Sequence, residues 1–249
     1  MSGRVYKVGG PALEDPSFFA PLADEVRRGA DRAVLVHGGG RAVDRLLKRL
    51  QIESRFVDGR RETSPEAMAV VEMVLSGASN KQLAAGITAA GVPAVGISGR
   101  DGGLVRAKLE PQLGRVGRPE LIDPSPLHAL WDAGLLPVVS PVASGPDGEA
   151  VNVNADEAAL GIAQAVSAQT LVYLSDVDGV RVGDQTAERL GSEEARRRIE
   201  DGTIAGGMAL KVKVALEAVA AGIPEVWIAG KARLLGGFPG TRVVGGDGE

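Results

Sequence analysis

Short runs of apolar and β-branched residues recur along the chain at intervals that predict the strands of a sheet. These runs cover Val5–Val8, Ala33–Val36, Ala94–Ile97, Leu135–Val139, Thr170–Leu174 and Glu225–Ile228. Between the runs, apolar residues recur every three or four positions, as on one face of a helix. The helical patterns are Phe18-Leu22-Val26, Val43-Leu46-Leu47-Leu50, Met68-Val71-Leu75, Ala158-Ile162-Ala165 and Met208-Val212-Ala215-Val219. Strands that alternate with helices predict crossover connections, and therefore an α/β sandwich with a largely parallel sheet.

Turn-forming residues mark where these elements begin and end. Asp15 followed by Pro16 is typical of a helix start. Glycines stand where helices would end, at Gly29, Gly91, Gly134 and Gly222. Asp-Gly pairs lie between extended runs and predict hairpins beside the core sheet, at positions 58–59, 101–102, 147–148 and 178–179. Because no Pro/Ser-rich linker interrupts the chain, we expect any division into lobes to be tight.

The composition narrows the class of protein. The 249 residues are 44% hydrophobic, which is enough for a sizeable core, and their formal charge is −4. That acidic balance argues against a nucleic-acid partner, because such affinity needs concentrated Lys and Arg. The absence of cysteine excludes disulfide scaffolds, Cys-ligated zinc and thiol catalysis. The sequence also lacks the apolar run of a signal peptide or a membrane span, so we expect a cytoplasmic protein with no membrane partner.

Two glycine clusters follow predicted strands and are candidates for anion binding. Val34–Gly40 is a strand that runs into three glycines, and a helix begins directly after them. Glycine allows a ligand to approach the backbone N–H groups at a helix N-terminus without a Cβ in the way. Lys7–Gly10 repeats the arrangement after the first strand and adds a cation. Both turns would emerge at the carboxyl edge of a parallel sheet, where open α/β folds bind ligands. Alternatively, the glycines only form tight strand-to-helix turns.

Two common phosphate-binding motifs are absent from the sequence. The Gly230-Lys231 pair is followed by Ala232, so it lacks the Ser or Thr of a P-loop. The glycine run at 38–40 lacks the third glycine of a dinucleotide-binding fingerprint. A P-loop NTPase and a standard Rossmann dehydrogenase are therefore disfavoured.

Three further polar clusters border the predicted elements. Polar and apolar residues alternate in Asn152–Asp156, just before an apolar helix, so two amides and a carboxylate point to one side. Alternatively, Asp156 is only the N-cap of that helix. Ser175–Val180 ends a strand in a polar turn, which is compatible with a hairpin or with the rim of a nucleotide site. Gly206–Lys211 begins a long helix and puts Lys211 on its second turn.

Six motifs, taken in order, resemble the motif series of the amino acid kinase family over about residues 4–244. They are Lys7-x-Gly9-Gly10, His37-Gly38-Gly39-Gly40, Gly59-x-Arg61-x-Thr63, Asn152-x-Asn154-x-Asp156, Ser175-Asp176-Val177-x-Gly179 and Gly206-Gly207-Met208-x-x-Lys211. The resemblance implies a three-layer αβα sandwich with two tightly joined lobes. An N-terminal lobe (1–168) would hold the amino-acid substrate and the dimer interface, and a C-terminal lobe (169–249) would hold ATP. It further implies that ATP phosphorylates the side-chain carboxylate of N-acetyl-L-glutamate, a step of arginine biosynthesis.

The resemblance also implies roles for individual residues. Lys7 and Lys211 would stabilise the transferring phosphoryl group, and Asp156 would orient the two lysines. Backbone N–H groups would bind the phosphoryl group at Gly10, Gly39 and Gly40. The acceptor, with its α-carboxylate on the arginine, would be held by Gly39, Gly40, Arg61, Asn152 and Asn154. The nucleotide would be bordered by Ser175, Asp176, Val177, Gly179, Val180, Gly206, Gly207 and Met208.

The chemistry of such a transfer suits the residue types present. A carboxylate acceptor needs no general base, because it is already ionised at neutral pH. Both reactants are anions, so we expect catalysis to come from alignment and from positive charge supplied by lysines, glycine N–H groups and helix N-termini. Mg²⁺ is expected to be carried mainly by ATP phosphates and water, so no protein ligand is assigned. His37 is interpreted as a strand-end residue that sets the glycine loop rather than as an acid or base.

Two alternatives remain open at this point. A carrier-protein-linked aminoadipate, as in lysine biosynthesis, could be the acceptor, since one methylene is worth only about 1–3 kcal/mol of discrimination. A basic docking face for such a carrier could be formed by Arg41, Arg45, Lys48 and Arg49. A non-catalytic amino-acid or nucleotide sensor of the same fold would not need Lys7, Asp156 and Lys211 together. Arginine-sensitive members of the family carry an extra N-terminal helix for which Lys7 leaves no room, so we expect a homodimer without that feedback inhibition.

Overall fold

The structure, a computed structural model, describes residues 3–29, 32–57 and 59–246. Its helices are α1 (Gly10–Leu13), α2 (Phe19–Gly29), α3 (Gly40–Arg49), α4 (Pro65–Glu72), α5 (Asn80–Ala89), α6 (Ser125–Asp132), α7 (Ala155–Ala165), α8 (Ser192–Glu200), α9 (Gly206–Ala220) and α10 (Lys231–Leu234). A π-helical segment, Met73–Ser79, joins α4 to α5. Short 3-10 turns lie at Pro16–Phe18, Asp101–Gly103 and Pro111–Leu113.

The strands of the described residues divide into one large sheet and three smaller units. They are β1 (Gly3–Val8), β2 (Arg32–His37), β3 (Phe56–Val57), β4 (Arg60–Arg61), β5 (Ala94–Ser98), β6 (Val105–Leu109), β7 (Val116–Ile122), β8 (Leu136–Ser140), β9 (Val142–Ser144), β10 (Ala150–Val153), β11 (Thr170–Leu174), β12 (Arg181–Val182), β13 (Gln185–Thr186), β14 (Arg189–Gly191), β15 (Glu225–Ala229) and β16 (Thr241–Val244). All six strands predicted from the sequence are present, and all belong to the large sheet.

The large sheet runs in the order β14-β16-β15-β11-β1-β2-β8-β5. Its pairings are parallel except for β15 with β16, which are antiparallel. The predicted α/β architecture with a largely parallel central sheet is therefore confirmed. Crossover helices explain the parallel pairing, because parallel neighbours cannot be joined by a short hairpin.

Helices cover both faces of the sheet, which makes three layers. Alternate residues of each strand face opposite sides: Val5 and Leu171 pack in the core under α7 and α9, whereas Tyr6 and Val172 pack in the core under α2 and α5. These strand residues are fully buried. Burial on both faces explains why the central strands read as continuous apolar runs in the sequence.

The remaining strands lie outside the large sheet. β6, β7, β9 and β10 close into a small barrel, and β3–β4 and β12–β13 are separate hairpins. The Asp147-Gly148 pair lies between the antiparallel strands β9 and β10, as predicted. The pair at 58–59 lies between β3 and β4, where Asp58 is outside the described residues.

Two of the Asp-Gly hairpin predictions are wrong. Asp101-Gly102 forms a 3-10 turn between β5 and β6, which belong to different sheets. Asp178 precedes the β12–β13 hairpin, and its carboxylate instead accepts a hydrogen bond from the backbone N–H of Ala232 at 3.2 Å. An Asp-Gly pair favours a turn, but only the pairing of the flanking strands makes that turn a hairpin.

Helix boundaries follow the predicted signals. The Asp15 side chain caps the 3-10 turn that begins at Pro16, accepting from Ser17 N at 3.0 Å. α2 ends at Gly29, and α5, α6 and α9 end two residues before Gly91, Gly134 and Gly222. Within the described residues, no helix is both long enough and apolar enough to cross a membrane.

The carboxyl ends of β1, β2 and β11 meet at one edge of the sheet. The N–H of Gly38 donates to the carbonyl of Val8 at 2.9 Å, and the N–H of Gly9 donates to the carbonyl of Leu174 at 3.2 Å. The turns after these strands therefore lie side by side, as expected for a parallel sheet. The lobe boundary at 168/169 falls between α7 and β11 and stays a prediction.

Candidate active site

A buried ion pair lies at the carboxyl end of β1. The Lys7 ammonium is 2.8 Å from a carboxylate oxygen of Asp156, and the two side chains are only 9% and 17% exposed. Asp156 stands in the first turn of α7, where the helix dipole favours a negative charge. The pair brings together two residues that are 149 positions apart in the sequence. It places a fixed cation at the edge where the glycine turns emerge.

The glycine turns present free backbone donors beside this ion pair. Among the described residues, no hydrogen-bond acceptor is found for the N–H groups of Gly10, Gly39 and Gly40. Gly39 has φ +155°, and a Cβ there would lie 2.7 Å from the Leu75 side chain, so only glycine fits. Free N–H groups at the start of α3 form an arrangement that suits an anion.

Arg61 is held by partners from α3, from the loop after α3 and from β3. Its guanidinium lies 2.6 Å from the Asp44 carboxylate and donates to Ser54 Oγ at 3.1 Å and to the Gly40 carbonyl at 3.3 Å. The group also stacks over the Phe56 ring, 4.6 Å from its centroid. The Arg61 side chain is 6% exposed, so its orientation is fixed before any ligand binds.

Asn152 and Asn154 stand on the strand and the cap that lead into α7. The amide of Asn152 donates to Thr63 Oγ1 at 3.1 Å, and Thr63 Oγ1 in turn donates to the Arg61 carbonyl at 2.7 Å. Asn154 is the N-cap of α7, because its side-chain oxygen accepts from the N–H of Asp156 at 2.8 Å. The alternative that Asp156 is the N-cap is therefore wrong, and its carboxylate is available for Lys7.

These groups line one cavity of about 200 Å³. Its wall contains all but one of the predicted phosphoryl- and acceptor-binding positions, together with two of the three predicted catalytic residues: Lys7, Gly39, Gly40, Arg61, Asn152, Asn154 and Asp156. Gly10 is not part of this wall, but it lies against Gly39, because a Cβ on Gly10 would be 3.7 Å from the Gly39 nitrogen. The sequence prediction thus identified residues that the fold brings together from four separate segments.

Beneath the turn at residues 38–40 lies a buried polar pair. His37 and Asn80 are both fully buried, and the Asn80 amide nitrogen lies 3.1 Å from His37 Nε2. His37 Nδ1 lies 2.7 Å from the Gly38 carbonyl. Burial lowers the pKa of His37 from its usual 6.5 to about 4, so the imidazole is neutral at physiological pH.

The predicted nucleotide residues at 175–180 form the turn after β11. The N–H of Ser175 donates to the Ala229 carbonyl at 2.8 Å, and its hydroxyl donates to Asp176 at 3.0 Å. The N–H of Val180 donates to Thr241 Oγ1 at 2.8 Å, and its side chain is fully buried. Val177 is exposed at the tip of the turn. Val180 and Gly179 therefore support the turn from below, and Val177 and Asp176 form its surface.

The second predicted nucleotide segment is the first turn of α9. Gly206 and Gly207 are exposed, and no side chain caps the N–H groups of this turn. Met208 is half-buried and packs at the margin of the core. Lys211, one turn further on, is half-buried and makes no ion pair or hydrogen bond within the described part of the chain.

Lys211 is thus not among the described residues that line the cavity. Helix α9 does pack against α7, the helix that carries Asp156. In addition, the Leu210 side chain lies against Gly59 in the β3–β4 turn, where a Cβ would be 2.8 Å from it. The start of α9 therefore borders the cavity region from the side of the C-terminal segment.

Sequence reasoning missed the residues that hold the site together. Asn80 lies on the same helical stripe as the fully buried Leu83 and Ile87, and a polar residue on an apolar stripe was the signal that could have identified it. Asp44 and Ser54 gave no such signal, because both stand among ordinary surface residues in the sequence. They hold the Arg61 guanidinium only because the fold brings Arg61 next to them.

No cluster of three or more His, Cys, Asp and Glu side chains in the described residues is placed to hold a metal ion. The carboxylates of the site are engaged by cations of the protein: Asp156 by Lys7 and Asp44 by Arg61. The donor set of the cavity, ammonium, guanidinium and N–H groups, therefore suits anions.

A sequence model of the amino acid kinase family matches residues 3–230. Among curated proteins, the acetylglutamate kinase of Geobacillus kaustophilus is 46% identical over 231 residues, which cover 90% of this chain and 88% of that protein. The acetylglutamate kinase of Rubrobacter xylanophilus is 43% identical over 254 residues, covering 98% of this chain and 97% of that protein. Among solved structures, smu.665 from Streptococcus mutans superimposes with a TM-score of 0.83 at 25% identity, over 97% of this chain and 98% of that one.

Proposed function

Because the chain belongs to the amino acid kinase family, we propose that it transfers the γ-phosphoryl group of ATP to the side-chain carboxylate of N-acetyl-L-glutamate, giving N-acetyl-L-glutamyl 5-phosphate and ADP. The observation that carries the proposal is the Lys7–Asp156 ion pair beside the free N–H groups of Gly39 and Gly40, in a cavity that Arg61 lines as well. The cavity thus offers one cation, Arg61 or Lys7, to each of the two anionic ends of a dicarboxylate acceptor.

The acceptor is held by both ends. The α-carboxylate binds the guanidinium of Arg61, whose planar fork suits a carboxylate. The acetylamide group binds the side-chain amide of Asn152. The cavity of about 200 Å³ is small for a complete nucleotide, so ATP lies outside it and only its terminal phosphate reaches Lys7.

The transfer forms one bond and breaks one. An oxygen of the acceptor carboxylate forms a bond to the γ-phosphorus, and the bond from that phosphorus to the bridging oxygen of ADP breaks with its electron pair on ADP. No proton is transferred, because the carboxylate is already ionised. The Lys7 ammonium and the N–H groups of Gly10, Gly39 and Gly40 donate to the phosphoryl oxygens, where they offset the repulsion between the reactants.

Asp156 orients the lysines in this scheme. It already holds the Lys7 ammonium at 2.8 Å, and α9 packs beside the helix that carries it. Lys211 contacts the phosphoryl group from the ATP side once the two lobes, 1–168 and 169–249, close over the substrates. The nucleotide binds along Ser175–Val180 and the first turn of α9, where Gly206 and Gly207 leave backbone N–H groups uncovered.

ATP is used as its Mg²⁺ complex. The ion neutralises phosphate charge and is held mainly by the phosphates and water, as this ion prefers. No carboxylate needs to be assigned to it, since both acidic residues at the site form ion pairs with cations of the protein.

The assembly we propose is a homodimer in the cytoplasm, without nucleic-acid partners. Light scattering that gave a hexamer would contradict the dimer.

Hydroxylamine trapping of the acyl phosphate tests this function. Purified protein with MgATP is given N-acetyl-L-glutamate, and parallel reactions contain glutamate, aspartate or N-acetyl-aminoadipate. We expect hydroxamate with N-acetyl-L-glutamate alone. Hydroxamate with N-acetyl-aminoadipate at a higher kcat/KM would favour the carrier-linked acceptor, and ATP binding without any hydroxamate would favour a sensor.

A further inference from the structure

The pair of His37 and Asn80 lies directly under the turn that supplies backbone donors to the cavity, and the proposed reaction gives neither side chain a role. Both residues are fully buried. A buried polar side chain costs free energy unless it is hydrogen-bonded, so such a pair is retained only with its partners in place. Here the partners connect the pair to the glycine turn on one side and to the sheet on the other.

The hydrogen bonds define which nitrogen of His37 carries the proton. The amide nitrogen of Asn80 can only donate, so Nε2 of His37 accepts at 3.1 Å. The neutral imidazole then carries its hydrogen on Nδ1, which donates to the Gly38 carbonyl at 2.7 Å. Asn80 therefore selects the tautomer that holds the carbonyl of Gly38.

Holding that carbonyl also aims an N–H group. The Gly38 carbonyl and the Gly39 N–H belong to one planar trans peptide, in which the two groups point in opposite directions. With the carbonyl turned to the buried imidazole, the N–H of Gly39 is turned away from it. Gly39 lines the cavity, and its N–H has no acceptor among the described residues.

Asn80 is itself fixed to the sheet. The two hydrogens of its amide nitrogen serve three acceptors, so one hydrogen is shared: besides His37 Nε2 these are the Val138 carbonyl at 2.9 Å and the Ile97 carbonyl at 3.2 Å, which tie Asn80 to β8 and β5. The π-helical segment that ends just before Asn80 presses Leu75 and Ser79 against Gly39. π-helical turns often occur at functional sites, and this one packs against the glycine turn from the side of Asn80.

We propose that His37 and Asn80 are positioning residues that hold the Gly38–Gly39 peptide so that the Gly39 N–H points at the phosphoryl group in the transition state. The inference rests on the proposed phosphoryl transfer and deepens it. Asn80 sets the tautomer, His37 holds the carbonyl, and the glycine donor is thereby aligned before the substrates bind. Neither side chain touches a substrate.

Two substitutions of His37 separate this role from simple packing. In His37→Asn the short amide can still donate to the Gly38 carbonyl from the position of Nδ1. In His37→Gln the longer amide reaches the position of Nε2 near Asn80 and leaves that carbonyl free. We expect His37→Gln to lower kcat about 10- to 100-fold with KM for N-acetyl-L-glutamate nearly unchanged. We expect His37→Asn to keep most of the wild-type kcat. His128→Asn, on α6, is the matched control with wild-type kcat.

Wild-type kcat in folded His37→Gln, or an equal loss in both His37 variants, would overturn the proposal. If neither variant folds, ¹⁵N NMR of the wild-type imidazoles decides, with His128→Asn identifying the signal of the only other histidine. The Nδ1–H tautomer is expected for His37, and the Nε2–H tautomer or a cation at neutral pH would overturn it. An inactive wild type would instead contradict the proposed function, and the NMR result would still test the geometry.

Discussion

The two sides of the site differ in how completely the protein has paired its own polar and charged side chains. On the acceptor side, Lys7 is paired with Asp156, Arg61 with Asp44, and His37 with Asn80. On the nucleotide side, Lys211 has no ion pair or hydrogen bond within the described residues. Free backbone N–H groups do not distinguish the two sides, because the first turns of α3 and α9 both lack a side-chain cap. Under the proposed function, we infer from this difference that the acceptor cavity is assembled in the free protein and that the nucleotide completes the other side.

Physical reasons favour such a division. A buried cation without a partner is costly, so a closed cavity must supply counter-charges from the protein itself. A half-exposed lysine at the start of a helix remains solvated by water and needs no partner until a phosphate arrives. The acceptor side is therefore expected to combine activity with stability, and the nucleotide side to contribute activity alone.

The largest effect is expected from Lys7→Met. Loss of the ammonium removes a direct donor to the phosphoryl group, and we expect kcat/KM to fall by about 10³-fold or more. The variant also leaves Asp156 buried without its cation, which should lower the free energy of unfolding by about 3 kcal/mol. Steady-state kinetics and urea denaturation measure the two effects. Lys48→Met, on the exposed side of α3, is the control. A Lys7 variant with unchanged stability would contradict the inference that the cavity depends on the Lys7–Asp156 ion pair.

On the nucleotide side, Lys211→Ala should lower activity without lowering stability. We expect kcat to fall by about 10²- to 10³-fold because one cation on the phosphoryl group is lost. The free energy of unfolding should stay within about 0.5 kcal/mol of wild type, since Lys211 makes no described hydrogen bond or ion pair that the substitution would remove. Unchanged turnover would remove Lys211 from the mechanism, and a large loss of stability would remove the contrast between the two sides.

The buried His37 makes stability on the acceptor side depend on pH. Its pKa is about 4 in the folded protein and 6.5 in the unfolded chain, so the unfolded chain binds the proton first as the pH falls. The stabilisation is complete above pH 6.5 and is lost progressively between there and about pH 4, by about 3 kcal/mol. His37→Asn has no imidazole to titrate at this position. The difference in unfolding free energy between wild type and variant should therefore change by that amount, and a constant difference would contradict the burial of a neutral imidazole.

The smallest of these effects is expected from Arg61→Lys. An ammonium cannot reproduce the planar fork that contacts Asp44, Ser54 and the Gly40 carbonyl while also binding a carboxylate. We expect KM for N-acetyl-L-glutamate to rise about tenfold with kcat within about threefold of wild type. Arg49→Lys at the end of α3 serves as the matched control. A fall in kcat without a change in KM would place Arg61 at the phosphoryl group rather than at the α-carboxylate.

Much of the fold could be predicted because the periodicity reports burial directly. Strands buried on both faces leave apolar runs such as Thr170–Leu174, and amphipathic helices leave spaced apolar residues. The closed barrel of β6, β7, β9 and β10 was not predicted, because its pairings join segments that carry no signal of their partners. For the same reason, of the three Asp-Gly pairs that the structure describes in full, only Asp147-Gly148 lies in a hairpin.

The candidate site divides in a similar way. Lys7, Gly39, Gly40 and Asp156 could be identified because their residue types and positions after strands are restricted by chemistry. Asp44 and Ser54 could not, because each contacts Arg61 and not a ligand, and their neighbours in the sequence carry no sign of that contact. Such supporting contacts depend on tertiary structure, which one sequence does not state.

Calorimetric titration of the nucleotide-free protein with N-acetyl-L-glutamate tests whether the acceptor cavity is complete before the nucleotide arrives. We expect saturable binding with one site per chain, and weaker binding by Arg61→Lys but not by Lys211→Ala. Binding that occurs only when a nucleotide is already bound would contradict it.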